Sequence, residues 1–147
     1  MSAELVTQKL CEAIRRKDYA FLVANFANAD MVGHTGVFSA AIKAVETLDR
    51  CLGEIRKAAM DSGYSLFISA DHGNVEEMRD GGGVAHTQHT LNPVPFVFLS
   101  PDKKIETTAS MDSGILADIM PTLLTHMGLK IPKEVTGHNL LHVKKGK

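Results

Sequence analysis

Three short stretches of this sequence carry side chains that could bind a metal ion. The candidate ligands are Asp30 with His34, Asp71 with His72, and His86 with His89. Mixed carboxylate and imidazole donors without thiolate suit Mn²⁺, Zn²⁺, Fe²⁺ or Mg²⁺, and they exclude an iron–sulfur cluster or a cysteine-based structural zinc. Even five of these six candidates exceed what one open catalytic metal needs. The sequence therefore favours two metals, which serve phosphoryl transfer by holding the attacking, phosphoryl and leaving oxygens between them.

The structural alternative applies to each of these residues taken alone, because a single histidine is more often structural than a ligand. An apolar run over residues 64–68 has the bias of a short buried strand, and it ends abruptly in Asp71, His72 and Gly73. In open α/β sheets, ligands bind outside the carboxyl ends of the strands. Asp71 and His72 are therefore expected at a functional edge of a sheet.

A second strand-like run precedes the pair Asp30 and His34. Residues 19–26 form an apolar run of strand length, which is typical of a central parallel strand covered on both faces. After the polar loop 28–36, apolar residues recur at spacings of three and four over residues 37–60, which predicts one long helix. Strand, loop, helix and strand make a βαβ unit, whose strands are parallel in nearly all cases. The expected fold class is α/β, with a three-layer parallel-type sheet and flanking helices.

Shorter signals predict the remaining elements. Pro93 and Pro95 cannot donate to a strand ladder, so the third strand is either an edge strand or begins no earlier than Phe96. Residues 101–112 are polar and are expected to cross the surface. The other expected elements are a helix over 3–16 with Ser2 as its N-cap, a helical turn at 75–79, a mobile glycine loop at 80–83, and a helix that begins near Asp118 as its cap, holds Pro121 in its first turn and closes at Gly128.

Composition limits the class of protein. The chain has 147 residues, 44% hydrophobic and 22% charged, with a formal net charge of −1. This is the profile of one globular domain, and near-neutral charge gives no electrostatic reason to expect nucleic acid or a membrane as a partner. No run reaches the length of a membrane span, and the N-terminus lacks the features of a signal peptide. Cys11 and Cys51 are unclustered and read as reduced thiols, so a cytoplasmic location is expected.

Three strings carry a family resemblance. Asn25-Phe-Ala-Asn-Ala-Asp-Met-Val-Gly-His-Thr-Gly36, Ser69-Ala-Asp-His-Gly-Asn74 and His86-Thr-Gln-His-Thr-Leu-Asn-Pro-Val-Pro-Phe96 resemble the metal-site motifs of cofactor-independent phosphoglycerate mutases, in the alkaline phosphatase superfamily. The segments 118–124 and 136–137 resemble the C-terminal helix and tail of that family. The resemblance implies that residues 1–147 are a single partial domain, the C-terminal segment of an alkaline-phosphatase-like domain.

The resemblance also implies a role for each matching residue. Its ligand sets are Asp30, His34 and His89 for one metal and Asp71 and His72 for the second, while His86 is not carried over as a ligand. In the family, an aspartate and the nucleophilic serine near the N-terminus of a much longer protein complete the second site. Neither residue is expected in this chain, and the inserted substrate-binding domain and a further lysine are expected to be absent as well.

The implied reaction is interconversion of 3-phosphoglycerate and 2-phosphoglycerate in glycolysis and gluconeogenesis, through a phosphoserine. Two divalent metals are implied, with Mn²⁺ first and Mg²⁺, Co²⁺ or Zn²⁺ as alternatives. The expected partners are phosphoglycerate and the N-terminal portion of the same protein, and the chain alone is expected to be inactive. Two alternatives stay open: a non-catalytic metal-binding or interaction module, and a related metallophosphatase, which the full string Met31-Val-Gly-His-Thr-Gly36 disfavours.

Overall fold

The computed structural model describes residues 2–143, except for the side chains of Glu106 and Thr108. The chain divides into two compact units, with the boundary after Pro101. No helix within the described range is both long enough and apolar enough to cross a membrane.

Three helices organise the first unit, and they are α1 (Ala3–Arg16), α2 (Asn28–Gly33) and α3 (Phe38–Ser62). The apolar periodicity therefore predicted α1 and α3 correctly. Ser2 precedes α1 as expected, but its side chain makes no capping hydrogen bond, and its carbonyl oxygen accepts the Val6 N–H at 2.9 Å. Gly63 ends α3 with a φ of 85°, a left-handed conformation that glycine adopts without steric cost.

The core of this unit lies between α1 and α3, which pack against each other. Its buried members are Cys11, Ile14, Ile55 and Ala58, and the partly buried side chains around them are Leu10, Leu22, Phe26, Tyr64 and Leu66. Both cysteines are free and buried. Ala58 on α3 is buried in this core, and such a small side chain allows helices to approach closely.

The strand predicted over residues 19–26 is absent, and the segment belongs to neither a helix nor a strand. Two of its side chains, Leu22 and Phe26, pack on the core, while Tyr19, Phe21 and Val23 are exposed, Val23 by 77%. A strand requires a hydrogen-bonded neighbour as well as a suitable sequence. The prediction failed because local composition shows only that a segment can pair, and this one has no ladder partner among the described residues.

A two-stranded antiparallel sheet follows, formed by β1 (Leu66–Ser69) and β2 (Phe96–Leu99). The prolines placed the start of β2 correctly at Phe96. The predicted parallel βαβ unit is not found among the described residues, because its first strand does not form and β1 pairs with a strand that returns through the loop 70–95. The expected helical turn at 75–79 is also replaced, by a turn at 75–76 and a bridge between Arg79 and Ala85 that closes the glycine loop.

The second unit contains α4 (Lys103–Thr108), β3 (Ala109–Met111), α5 (Ile119–His126) and β4 (Leu141–Val143), and β3 pairs with β4 in antiparallel fashion. Residues 101–112 were expected only to cross the surface, so α4 and β3 were missed. Asp102 caps α4 by accepting the Lys104 N–H at 2.8 Å. That local capping signal was available in the sequence.

Asp118 precedes α5 as expected, but its side chain does not cap that helix. It is 1% exposed and accepts the backbone N–H groups of Ile115 at 2.8 Å and His138 at 2.9 Å. These bonds hold the pKa of the Asp118 carboxyl below its ordinary value. Pro121 lies in the first turn of α5, as predicted, and Gly128 follows the helix with a φ of 70°. Asp118 thus ties the polypeptide around residue 138 to the start of α5.

Candidate metal centre

The candidate ligands come from three segments of the first unit. Asp30 lies in α2 and His34 follows its last residue, so a spacing of four places both side chains on one face. Pairing of Ser69 with Phe96 aligns the end of β1 with the start of β2. The segments beyond those ends then run beside each other, and Gly73 and Thr90 form an isolated antiparallel bridge. His72 and His89 each lie next to that bridge.

Asp30, His34 and His89 come together closely enough to share one ion. Oδ1 of Asp30 lies 3.2 Å from Nε2 of His34 and 3.1 Å from Nε2 of His89, and the two Nε2 atoms are 3.1 Å apart. One donor atom from each residue falls within 4.8 Å of the others. Ligands of a single ion at about 2.1 Å are separated by about 3 Å, so these spacings fit a common metal.

The hydrogen bonds of His34 support the same interpretation. Its Nδ1 lies 2.6 Å from the carbonyl oxygen of Thr87, which can only accept, so Nδ1 carries the proton. The lone pair of Nε2 in neutral His34 therefore faces His89 and Asp30. A backbone carbonyl in this position fixes the ring orientation and tautomer of many metal-binding histidines.

His72 lies beside these three residues, and the five candidates Asp30, His34, Asp71, His72 and His89 are called the cluster below. Its Nε2 lies 4.0 Å from Oδ1 of Asp30 and 3.6 Å from Oδ1 of Asp71, and its ring stacks on that of His89 with centroids 3.6 Å apart. The side chain of Asp71 is 77% exposed. The structure thus places Asp71 and His72 beside the other three candidates, with Asp71 at the outer edge of the cluster.

His86 has other contacts. Its Nδ1 lies 3.0 Å from the carbonyl oxygen of Glu77, and its backbone N–H donates to the carbonyl of Met78 at 2.9 Å. These contacts hold the chain that returns from the glycine loop. The geometry gives His86 a local structural task and does not bring it into the group formed by Asp30, His34 and His89.

Asp30 is held ionised by its surroundings. Burial raises the pKa of its carboxyl, but the hydrogen bond from Asn74 and the nearby imidazoles of His34, His89 and His72 outweigh that effect, so the net pKa is lowered. Nδ2 of Asn74 donates to Oδ1 of Asp30 at 2.8 Å. A negative oxygen at the centre of several ring nitrogens is the electrostatic setting that a cation requires.

Asn74 was not predicted from the sequence, although it is only 5% exposed and reaches Asp30 across 44 positions. Its amide lies against the backbone of Gly33, where a Cβ atom would overlap Oδ1 of Asn74. The absence of a side chain at Gly33 therefore lets the amide approach Asp30. Gly33 in the string before His34 was the available signal, but a glycine does not reveal which residue it makes room for.

Glu76 was also missed. Its Oε2 accepts the backbone N–H of Asn74 at 2.6 Å, and its Oε1 accepts the hydroxyl of Thr90 and Nδ2 of Asn92, the latter at 3.1 Å. The hydrogen bond from Thr90 is the largest influence in lowering the pKa of Glu76 to about 2. The contact with Thr90 spans 14 positions, so no local pattern could have indicated it.

The fold and the mixed carboxylate–imidazole cluster define a metal-dependent enzyme domain. The chain belongs to the metalloenzyme superfamily, whose family model matches residues 1–131. It is 50% identical over 141 residues to the 2,3-bisphosphoglycerate-independent phosphoglycerate mutase of Syntrophotalea carbinolica, which covers 96% of this chain and 27% of that protein. It is 51% identical over 142 residues to the mutase of the same name from Pseudomonas aeruginosa, with the same coverage of 96% and 27%.

A solved structure gives the same result at the level of the fold. Phosphoglycerate mutase of Leishmania mexicana, crystallised at low cobalt concentration, superposes with a TM-score of 0.86 at 29% sequence identity. The match covers 98% of this chain and 29% of that one. These relatives confirm the resemblance to cofactor-independent phosphoglycerate mutases, and this chain spans about a quarter of their length, 27% for the Syntrophotalea protein.

Proposed function

We propose that this chain is the metal-ligand-bearing, C-terminal portion of a cofactor-independent phosphoglycerate mutase, an isomerase that interconverts 3-phosphoglycerate and 2-phosphoglycerate in glycolysis and gluconeogenesis. The observation that carries the proposal is the convergence of Asp30, His34 and His89 on one point. Two mutases about 50% identical to this chain support it, and the 27% of their length that the chain covers supports a role within a larger protein.

Two divalent metals belong to this proposal. Asp30, His34 and His89 would hold the first, and Asp71 and His72 would hold the second together with donors from the rest of the enzyme. When bound, the ions supply positive charge that polarises the attacking serine hydroxyl and the phosphoryl oxygens. Mn²⁺ is the first candidate, and Mg²⁺, Co²⁺ or Zn²⁺ accept the same donor types.

The contribution of this chain to the reaction is to prepare the ligands. Thr87 holds the Nδ1 proton of His34, which leaves Nε2 free to bind, and Asn74 holds Oδ1 of Asp30 in place. We place the nucleophilic serine and the groups that bind phosphoglycerate in the remainder of the enzyme. The enzyme would form a phosphoserine there, and the glycerate would turn before its other hydroxyl takes the phosphoryl group back.

Two further parts of the proposal concern the fold and the location. We propose that residues 19–26 become a strand of a three-layer, parallel-type sheet in an alkaline-phosphatase-like domain when the rest of the enzyme is present. The exposed apolar side chains of Phe21 and Val23, which neighbouring strands or helices would bury, support this. We also propose a cytoplasmic location, which the two free, buried cysteines support.

Reconstitution tests the function. The purified chain with Mn²⁺ should not turn over 3-phosphoglycerate, and adding the N-terminal portion of a related mutase, as a separate polypeptide, should restore turnover. A His34→Ala chain should fail to restore it. A His142→Ala chain is the matched control and should succeed, because His142 pairs with Asp112 outside the cluster.

Two outcomes would count against the proposal. Turnover by this chain alone would show that it needs no external serine. Tight metal binding without turnover in any reconstituted mixture would favour a non-catalytic metal-binding module.

A further inference from the structure

We propose that Glu76 is a positioning residue that joins the loop of His72 to the loop of His89 and thereby sets the metal affinity of the site. The inference rests on the proposed function, because it takes Asp30, His34 and His89 as metal ligands. Glu76 is not a ligand candidate itself, since both of its carboxylate oxygens already face hydrogen-bond donors from the protein.

Hydrogen bonds to Glu76 connect the two loops that carry His72 and His89, and this connection is called the Glu76 bridge. Glu76 accepts the backbone N–H of Asn74, two residues after His72, at 2.6 Å. It also accepts the hydroxyl of Thr90, the residue that follows His89. Since the rings of these histidines stack with centroids 3.6 Å apart, a small separation of the loops would change the position of His89 relative to the other ligands.

The same network reaches the third ligand segment. The side chain of Asn74 donates from Nδ2 to Oδ1 of Asp30 at 2.8 Å and to its carbonyl oxygen at 3.3 Å. The backbone N–H of Asn74 is the group that Glu76 accepts. Movement of Glu76 would therefore be transmitted through one residue to the carboxylate at the centre of the site.

Packing leaves little freedom in this bridge. Thr90 donates its N–H to the carbonyl of Gly73 at 3.0 Å, and a Cβ atom on Gly73 would overlap both the Thr90 hydroxyl and the Glu76 carboxylate. The close approach of the two loops thus depends on glycine at 73. The space that a side chain would occupy is filled by the Glu76–Thr90 hydrogen bond.

The chemistry requires a carboxylate. Oε2 of Glu76 accepts from Asn74, while Oε1 accepts from Thr90 and Asn92. A glutamine would turn its NH₂ group towards a donor in either orientation, so one side of the bridge would be lost. Glu77 provides a matched control, because its carboxylate accepts Nδ2 of Asn92 at 3.0 Å, whereas the Asn74 N–H and the Thr90 hydroxyl donate to Glu76.

The first test measures Mn²⁺ affinity by calorimetry for the wild-type chain, Glu76→Gln and Glu77→Gln, at a temperature where circular dichroism shows each metal-free protein folded. Glu76→Gln should weaken binding by about 10–100-fold, the usual effect of removing a group that orients metal ligands. Glu77→Gln should leave the affinity unchanged. Equal affinities for the two variants would overturn the inference alone, whereas a wild-type chain that binds no Mn²⁺ would overturn the proposed metal site together with it.

A second pair of variants changes Thr90, the hydrogen-bond donor at the other end of the Glu76 bridge. Thr90→Val removes the hydroxyl at nearly constant volume and should weaken Mn²⁺ binding, while Thr90→Ser keeps the hydroxyl and should restore it. The visible absorption spectrum of bound Co²⁺ reports the ligand geometry, and it should change in Glu76→Gln and Thr90→Val only. Lower melting temperatures with unchanged Mn²⁺ affinity and Co²⁺ spectra would show that the bridge merely stabilises the fold, which would contradict the inference.

Discussion

Asp30 is the residue on which the other side chains of the cluster depend. Its Oδ1 meets ring nitrogens of His34 and His89 and the amide of Asn74 within 3.2 Å. Because its pKa is lowered, the Asp30 carboxylate stays ionised at pH values where an ordinary aspartate becomes protonated. Protons in weakly acidic solution therefore compete little with a metal at this carboxylate, whereas metal binding to an imidazole always competes with its protonation.

The pH dependence of metal binding follows from this difference. Imidazole coordinates only when neutral, and free imidazole side chains protonate near a pH of about 6.5. Since metal binding to His34 and His89 must displace any proton on either ring, Mn²⁺ affinity should fall as the pH is lowered, by up to about a hundredfold per pH unit. The gain in melting temperature on adding Mn²⁺ should shrink in the same direction. Calorimetric titrations between about pH 5 and 8 measure the affinity, and melting curves at the same pH values measure the gain in melting temperature.

The control for this prediction removes one imidazole. A His34→Ala chain that still binds should show a slope of about tenfold per pH unit, one proton instead of two. Glu76 does not confuse the result, because its pKa of about 2 keeps it ionised throughout. The part of the stability that Glu76 contributes is present above its ordinary pKa and is lost only as the pH falls towards 2. A flat affinity across the range would mean that the histidines are not ligands.

At the scale of elements, α3 contains one glycine and ends at another. Gly53 is an exposed residue in the middle of α3, and a Cβ atom there would meet nothing within 4 Å. Gly63 has a φ of 85°, where a Cβ atom has open space but the backbone conformation is unfavourable. A substitution at Gly53 therefore tests helix propensity, and one at Gly63 tests the cost of a left-handed backbone conformation.

The expected effects of alanine have opposite signs. Gly53→Ala should raise the free energy of unfolding by about 0.5–1 kcal/mol, because glycine loses more conformational entropy in a helix. Gly63→Ala should lower it by about 1–2 kcal/mol, the cost of a left-handed residue with a Cβ atom. Urea denaturation of both variants measures the difference. Stabilisation by both substitutions would contradict the ending of α3 at Gly63.

The sequence predicted elements whose signals are local. Periodicity gave α1 and α3, and Pro95 placed the start of β2 at Phe96. It could not predict the state of residues 19–26, because a strand depends on a neighbour that local composition does not specify. The same limit applies to the site, where ligand types are visible in the sequence but the bridge from Glu76 to Thr90 is a long-range contact.

At the scale of the whole molecule, the two ligand sets differ in completeness. Asp30, His34 and His89 offer three donors within 4.8 Å, whereas Asp71 and His72 offer two, with Asp71 largely exposed. The chain alone should therefore bind one Mn²⁺ clearly and a second only weakly. Calorimetry measures the two affinities, and two equally tight sites would be inconsistent with this division of the ligands.

Exposed apolar side chains on residues 19–26 lead to a prediction about association. Tyr19, Phe21 and Val23 are 51%, 47% and 77% exposed on the outward side of a segment that joins no sheet in the described chain. Neighbouring apolar side chains and an unpaired backbone favour self-association. The chain should therefore form oligomers whose proportion rises with concentration, as sedimentation velocity would show.

A pair of lysine substitutions locates the surface responsible. Val23→Lys should reduce oligomer formation, because a charge opposes burial of this face. Val84→Lys is the control, since Val84 is 65% exposed, directly follows the glycine loop 80–83 and lies outside the segment. It should leave association unchanged. A wild-type chain that stays monomeric at high concentration, with a cooperative melt, would show that residues 19–26 need no covering partner, and the proposed strand role of this segment in a larger sheet would lose its support.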